Sequence, residues 1–284
     1  FMSSRISETF RELKYKNTKG FIPFITAGDP TISISLDIIR LLPKAGADLI
    51  EIGMPFSDPM ADGKIIQASS LRALKQGITI NKILEMITIF RKENIKTPVV
   101  LMGYFNPIYN FGIDKFLSEC KESGVDGLII VDLPYEHDNE LCIPAKKKGI
   151  DFIRLVAPTT TNERMPLLLN QSSGFVYCIS LSGITGSKQA DIEVINRTIS
   201  RIKKSTNLPI AIGFGIKTPE QAGKISLSAE ATVIGSIIVE KINEIYTSRI
   251  ADNVKLSIIN LSQFYFAQMS ILLGGNKEKH FLPQ

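Results

Sequence analysis

The residue types best suited to chemistry are concentrated in one short segment, residues 51–63, which reads EIGMPFSDPMADG. Glu51 stands inside an apolar run, and the loop after it carries two more acids, Asp58 and Asp62. Because burying an unpaired charge costs several kcal/mol, Glu51 must be neutral, paired or retained for a task. Burial of this kind raises the pKa of a carboxyl group and suits it to acid–base chemistry. A structural ion pair is the alternative for Glu51, and an ordinary turn is the alternative for Asp58.

A second candidate site is formed by small-residue segments that follow later apolar runs. Residues 213–215 read GFG and residues 235–236 read GS, and backbone N–H groups in such loops can bind phosphate. Neither segment completes a GxGxxG or Walker sequence, so a nucleotide site has little support. Residues 180–186 (SLSGITG) follow an apolar run that contains Tyr177, and they could close over a ligand. Tight turns or a flexible loop without a ligand are the alternatives.

These candidate residues depend on a repeated pattern of short apolar segments, each separated from the next by enough residues for a helix. Helices are predicted, for example, at residues 32–44, 82–93 and 192–205. The repetition predicts a parallel sheet, and eight strands are the number that closes a (β/α)₈ barrel. A doubly wound open sheet is the alternative. The eight predicted strands are residues 21–26, 49–53, 99–103, 127–131, 152–156, 174–179, 210–213 and 232–235.

The rest of the chain fits one barrel domain over residues 1–284. Residues 3–15 carry apolar side chains at Ile6, Phe10 and Leu13, which predicts an extra amphipathic helix that closes the barrel bottom. Residues 218–221 (TPEQ) predict a helix start, and residues 276–284 predict a frayed tail. Barrel active sites form at the carboxyl ends of the strands, so the candidate residues should share that face.

Composition excludes several classes of function. The net charge of +5 comes from 33 basic and 28 acidic residues, and the lysines are scattered, which disfavours nucleic-acid binding. With two histidines and three widely spaced cysteines, a Ser-His-Asp triad, a metal site and a disulfide framework are not expected. No apolar run is long enough for a membrane span or a signal peptide. A cytoplasmic location is expected, with the plastid stroma as the alternative.

Several blocks, in order along the chain, resemble those of the tryptophan synthase α chain family. The resemblance runs from the first predicted strand to residues 235–236, with departures at Leu181 and at residues 228–231. It implies a (β/α)₈-barrel carbon–carbon lyase that cleaves indole-3-glycerol phosphate into indole and glyceraldehyde 3-phosphate, in the last steps of tryptophan biosynthesis. The blocks are residues 23–30 (PFITAGDP), 51–63, 132–134 (DLP), 183–186 (GITG) and 213–216 (GFGI).

The resemblance also implies roles for particular residues. Glu51 and Asp62 match the catalytic acid/base pair. Glu51 would protonate C3 of the indole ring, and Asp62 would stay ionised and accept the indole N–H. The residues that match the indole-side wall are Phe24, Tyr104, Ile129 and Tyr177. Those that match the phosphate-binding region are Gly186, Gly213, Phe214, Gly215, Gly235 and Ser236.

A partner is implied as well. Most members of the family pass indole to a β chain that bears pyridoxal phosphate, so an α₂β₂ heterotetramer is expected, with no cofactor in this chain. Stiff and apolar residues in the loop after the second predicted strand, Pro55, Phe56, Pro59 and Met60, predict the contact surface. Three alternatives remain: a stand-alone indole-releasing lyase, a non-catalytic activator of a β chain, and another sugar-phosphate barrel enzyme.

Overall fold

The computed structural model describes residues 4–179, 188–213 and 227–248, in which strands and helices alternate. The strands are β1 (Gly20–Thr26), β2 (Ile50–Gly53), β3 (Val99–Gly103), β4 (Gly127–Ile130), β5 (Asp151–Phe152), β6 (Arg154–Val156), β7 (Val176–Ile179), β8 (Ile210–Gly213) and β9 (Ala231–Ile234). The helices are α1 (Arg5–Tyr15), α2 (Ile32–Leu41), α3 (Lys64–Lys75), α4 (Ile80–Glu93), α5 (Phe105–Phe111), α6 (Ile113–Ser123), α7 (Cys142–Lys147), α8 (Arg164–Leu169), α9 (Lys188–Ser205) and α10 (Ser236–Thr247), with a 3₁₀ helix at Tyr135–His137.

The described strands form one parallel sheet in the order β5-β4-β3-β2-β1-β9-β8-β7-β6. The sheet closes at residues 151–156, because β5 pairs with β4 while β6 pairs with β7. Ile153 lies between these two short strands, and its N–H donates to the carbonyl oxygen of Leu128 at 2.9 Å. Residues 151–156 therefore act as one barrel strand, and the predicted (β/α)₈ barrel is confirmed.

Successive side chains along each strand point to opposite faces of the sheet and so form two apolar layers. Side chains such as Ile50 and Ile52 pack outward among the helices, in a core of fully buried aliphatic and aromatic residues. Val100, Ile129 and Phe175 belong to a separate inner cluster that fills the barrel. Glu51 stands between Ile50 and Ile52 on the chain, so the period of two turns its side chain toward the inner layer.

Helix α1 covers the amino-terminal end of the barrel, as its pattern predicted. Ile6, Phe10 and Leu13 are buried in the inner cluster, and the Phe10 and Phe175 ring centroids are 5.6 Å apart. Asp126, immediately before β4, binds two guanidinium groups from this end of the barrel. The distances are 2.8 Å from the Arg5 Nη1 to Oδ1 and 2.6 Å from the Arg91 Nη2 to Oδ2.

Helix ends differ from the predicted bounds for local reasons. The helix predicted at residues 32–44 ends at Leu41, although Leu42 still has helical backbone, because Pro43 has no N–H to continue the helical hydrogen bonds. Helix α4 begins two residues before the predicted start, since Thr79 caps it by accepting a hydrogen bond from the N–H of Lys82. The predicted helix start at residues 218–221 and the tail at residues 276–284 lie outside the described residues.

Candidate active site

Glu51 occupies the interior of the barrel. It pairs in register with Phe24 on β1 and Val100 on β3, both of which belong to the inner apolar cluster. The residue is 1% exposed, and neither carboxylate oxygen has a hydrogen-bond partner among the described residues. Hence the predicted burial is present, while the alternative of a structural ion pair finds no partner in the described part of the chain.

Burial without a partner changes the ionisation of Glu51. Loss of solvation raises the pKa of this carboxyl group from 4.5 to about 8, and the nearby charge of Asp62 adds to the shift. At neutral pH Glu51 is therefore mostly protonated and has a proton to give. The two carboxyl groups therefore influence each other electrostatically.

Asp62 lies in the loop between β2 and α3, one residue before the Gly63 N-cap. Its side chain is half-buried, and this burial raises the pKa of the carboxyl group, while a hydrogen bond from Tyr104 opposes the increase. Gln67 on the first turns of α3 donates to the Asp62 carbonyl oxygen at 2.8 Å. Asp62 is therefore contacted by Tyr104 on one side and by Gln67 of α3 on the other.

Tyr104 follows β3 directly and is 4% exposed. Its hydroxyl oxygen accepts the N–H of Ala61 at 2.9 Å, and its ring lies 5.2 Å from the Phe56 ring, centroid to centroid. Burial raises the pKa of Tyr104 to about 12, so the hydroxyl keeps its proton. Tyr104 therefore contacts the loop that carries Asp62, in addition to the wall position predicted for it.

The other predicted wall residues gather in the inner cluster. Phe24 and Tyr177 are less than one-tenth exposed, and Ile129 is fully buried. Burial raises the pKa of Tyr177 well above its ordinary value, and the charge of Glu51 contributes. An apolar wall therefore faces the acid, which is the surrounding that a flat aromatic substrate needs.

The predicted phosphate-binding residues are described only in part. Gly186, Phe214 and Gly215 lie outside the described residues. Gly213 ends β8, and Gly235 and Ser236 start α10, where no side chain caps the helix. A Cβ built at Gly235 would lie 3.2 Å from the Cβ of Phe24, so the amino end of α10 adjoins the apolar wall. At Gly213 an added Cβ would overlap the ring of Tyr177, so close packing also explains that glycine.

A small cleft at the carboxyl ends of β1–β4 includes residues that sequence reasoning missed. Phe24, Asp62 and Tyr104 line it together with Ile66, Met102 and Val131. Met102 is two residues beyond Val100 and Val131 is two residues beyond Ile129, and both pack against the inner cluster. The strand period of two would have identified these two residues.

Another cleft lies elsewhere, at the amino-terminal end of the barrel beside α1. It has a volume of 1410 Å³ and includes Arg5 and Asp126, which are paired with each other. It follows the seam between α1 and the barrel, whereas barrel chemistry occurs at the opposite face. The described residues contain no group of three or more potential metal ligands, and none of the described helices could span a membrane.

The fold and the site together define a class: a (β/α)₈-barrel enzyme with a protonated acid and a second carboxyl group at the carboxyl ends of its strands. Comparison with known families makes this specific. The model of the family "Tryptophan synthase alpha chain" matches residues 10–266. The chain belongs to this family of carbon–carbon lyases, which cleave indole-3-glycerol phosphate into indole and glyceraldehyde 3-phosphate in tryptophan biosynthesis.

Solved structures agree with this assignment. Tryptophan synthase subunit alpha from Legionella pneumophila is 35% identical with a TM-score of 0.86, and the match covers 96% of this chain and 99% of that chain. A second alpha chain structure from Legionella pneumophila is 34% identical with a TM-score of 0.85, over 97% and 99% of the two chains. A tryptophan synthase structure from Mycobacterium tuberculosis is 26% identical with a TM-score of 0.83, over 94% and 99%.

Proposed function

We propose that Glu51 and Asp62 carry out the cleavage of indole-3-glycerol phosphate. Glu51 acts as the acid, and the Asp62 carboxylate stabilises the positive charge that develops on the ring. The observation that supports this most directly is the Glu51 carboxyl group, fully buried, without a hydrogen-bond partner among the described residues and with its pKa raised to about 8. A group of this kind is protonated at neutral pH and surrounded by apolar side chains.

In the proposed mechanism, Glu51 first transfers its proton to C3 of the indole ring. The ring then carries positive charge, which the ionised carboxylate of Asp62 stabilises by accepting the ring N–H. Removal of the proton from the side-chain hydroxyl, by the Glu51 carboxylate or a water, forms the aldehyde. The bond between C3 and the side chain breaks, and its electron pair returns to the ring, which releases indole and glyceraldehyde 3-phosphate.

Another sugar-phosphate barrel enzyme is the competing function from the sequence. An aldolase that works through a Schiff base needs a lysine in the barrel, and none of the described strands carries one. A non-catalytic activator of a β chain would have no need of an unpaired buried acid, which costs stability. These observations favour cleavage by acid–base chemistry.

Indole release from indole-3-glycerol phosphate by the purified chain tests the assignment. Glu51→Gln and Asp62→Asn should each lower turnover by about 10²- to 10⁴-fold, because neither amide can perform its acid's task. Glu85→Gln, an exposed glutamate on α4, is the matched control and should retain full turnover. A Glu51→Gln variant with more than about a tenth of wild-type turnover would remove Glu51 from the mechanism.

We propose that the amino end of α10 binds the substrate phosphate. The helix starts at Ser236 without a side-chain cap, so its first N–H groups and its dipole favour an anion. Ser236→Asp places a carboxylate there and should raise KM for indole-3-glycerol phosphate, while Ser236→Ala keeps the backbone amides and should change KM much less. If both variants have the wild-type KM, the phosphate lies elsewhere.

We also propose that the chain binds a tryptophan synthase β chain in an α₂β₂ heterotetramer through the carboxyl-end rim, and that pyridoxal phosphate belongs to that partner alone. Met60 in the loop of Asp62 is 85% exposed, and Tyr109 on α5 is 63% exposed. Phe56 instead packs on Tyr104, so internal packing explains part of the predicted surface. The cytoplasmic location, with the plastid stroma as the alternative, stays a prediction.

Titration of a β chain against the cleavage rate tests this partner. Met60→Asp should weaken the complex and the activation, whereas Ile95→Asp, at a 70% exposed residue before β3 on the opposite face, should not. Hydrogen exchange of residues 56–62 should slow in the complex. A saturating β chain that changes neither the rate nor this exchange would favour the stand-alone lyase.

A further inference from the structure

One side chain, Tyr104, connects the Asp62 loop to the end of the neighbouring strand. The Tyr104 hydroxyl oxygen accepts the N–H of Ala61 at 2.9 Å, so its own proton is left to donate to the Asp62 carboxylate. The other hydrogen bonds of residues 55–62, within the part of the chain that the structure describes, are local or run to Gln67 on α3. Tyr104 is thus what joins this loop to β3.

Tyr104 is itself held firmly. It is 4% exposed and follows β3, and the N–H of the next residue, Phe105, donates to the Asp132 carboxylate at 2.8 Å. The residue thereby links the end of β3 to the DLP segment after β4. Because Asp62 lies in a largely exposed loop, an anchor on a rigid strand end is what can fix its carboxylate to within a few tenths of an ångström.

We propose that Tyr104 is a positioning residue for Asp62: its hydroxyl holds the loop through Ala61 and orients the Asp62 carboxylate toward the barrel interior. This inference rests on the role proposed above for Asp62, and it differs from the apolar wall contact implied by the resemblance, which needs only the ring. Replacing the hydroxyl while keeping the ring separates the two roles.

The proposal has a consequence for the pH dependence of the reaction. The Tyr104 hydrogen bond lowers the pKa of Asp62, so its loss should move the acid limb of kcat/KM to higher pH. The other acids that influence Tyr104 and Asp62 are Glu51 on β2 and Asp132, which follows β4. Glu51 stays protonated through the acid range because its pKa is about 8, and Tyr104→Phe removes no contact of Asp132 with Phe105.

The test compares Tyr104→Phe with Tyr15→Phe, a control at a 90% exposed tyrosine at the end of α1. Tyr104→Phe should lower kcat/KM by about 10- to 100-fold, the usual effect of a hydrogen bond to a charged group, chiefly through kcat. It should also move the acid limb to higher pH and speed hydrogen exchange in residues 56–62. Tyr15→Phe should change none of these.

A double-mutant cycle distinguishes failure of this proposal from failure of the Asp62 assignment. If Tyr104 acts through Asp62, Tyr104→Phe should lower kcat/KM by less than about a further threefold in the Asp62→Asn background. This limit is close to the variation seen between independent, additive mutations. Full additivity, or an acid limb unchanged in Tyr104→Phe, would overturn the positioning role while Asp62 kept its own. An active Asp62→Asn enzyme would instead overturn the proposed role of Asp62 and, with it, the positioning role.

Discussion

The neutral, buried state of Glu51 predicts that this residue destabilises the fold as pH rises. Its pKa is 4.5 in an unperturbed chain and about 8 in the folded protein. Between these values the unfolded chain gives up the Glu51 proton while the folded protein keeps it. Stability is therefore lost as pH rises through this window, by up to about 5 kcal/mol for a fully buried carboxyl group.

Glu51→Gln removes this dependence, because the amide has a similar shape and stays neutral at every pH. Its unpaired polar group has a constant cost, whereas the wild-type cost grows with pH. The difference in unfolding free energy between variant and wild type should shift by about 3 kcal/mol in favour of the variant from about pH 5.5 to about pH 8.5. The activity of the wild-type enzyme should fall above about pH 8 over the same ionisation.

Denaturant unfolding at a series of pH values measures this difference directly, since all other titrating groups are common to both proteins. Glu85→Gln provides the control, because an exposed glutamate should give a difference that stays flat with pH. A Glu51→Gln difference that varied by less than about 0.5 kcal/mol over that pH range would refute the reasoning. It would mean that Glu51 ionises normally in the folded protein and is a poor acid.

Two further predictions concern packing and the barrel bottom. Asp126→Asn should lower the free energy of unfolding by about 3–5 kcal/mol, because Arg5 and Arg91 lose their buried charged partner. The control Asp114→Asn, at an exposed residue, should change the free energy of unfolding by no more than about 0.5 kcal/mol in the same assay. Gly53→Ala places a Cβ 2.5 Å from the Phe24 Cζ, so stability should fall by about 1–3 kcal/mol and KM should rise. Gly63→Ala, with no atom within 4 Å of the added Cβ, should leave KM unchanged.

Most of the barrel could be predicted from the sequence because each strand is a short, nearly continuous apolar run. Two of the predicted strands, residues 99–103 and 210–213, match β3 and β8 to the residue. The division of residues 151–156 into β5 and β6 could not be predicted, since it reflects a change of hydrogen-bond partner across the barrel. That residues 1–284 form one domain stays a prediction, because residues 249–284 lie outside the described part.

The sequence predicts a candidate site residue where a charged side chain stands among apolar ones. A glutamate inside an apolar strand has few explanations, so Glu51 could be chosen from the sequence alone. The resemblance implies Tyr104 as a wall residue only. Its hydroxyl contacts depend on how the Asp62 loop folds back over the end of β3, which no local pattern encodes. The Thr26 Oγ1 and the Ser69 Oγ form a buried hydrogen bond of 2.6 Å, which no sequence pattern predicts either.

The other buried acids of this protein support the proposed chemical role of Glu51 over a structural one. Among the described residues, Asp29, Asp126 and Asp138 are also less than one-tenth exposed, and each binds at least one arginine. Their partners are Arg72 for Asp29, Arg5 and Arg91 for Asp126, and Arg154 for Asp138. Each of these three acids is therefore paired with arginine. Glu51 is the most deeply buried of the four, and no ion pair within the described chain compensates for its burial. Because retention of an unpaired group is costly, a chemical role for its proton is the explanation that accounts for it.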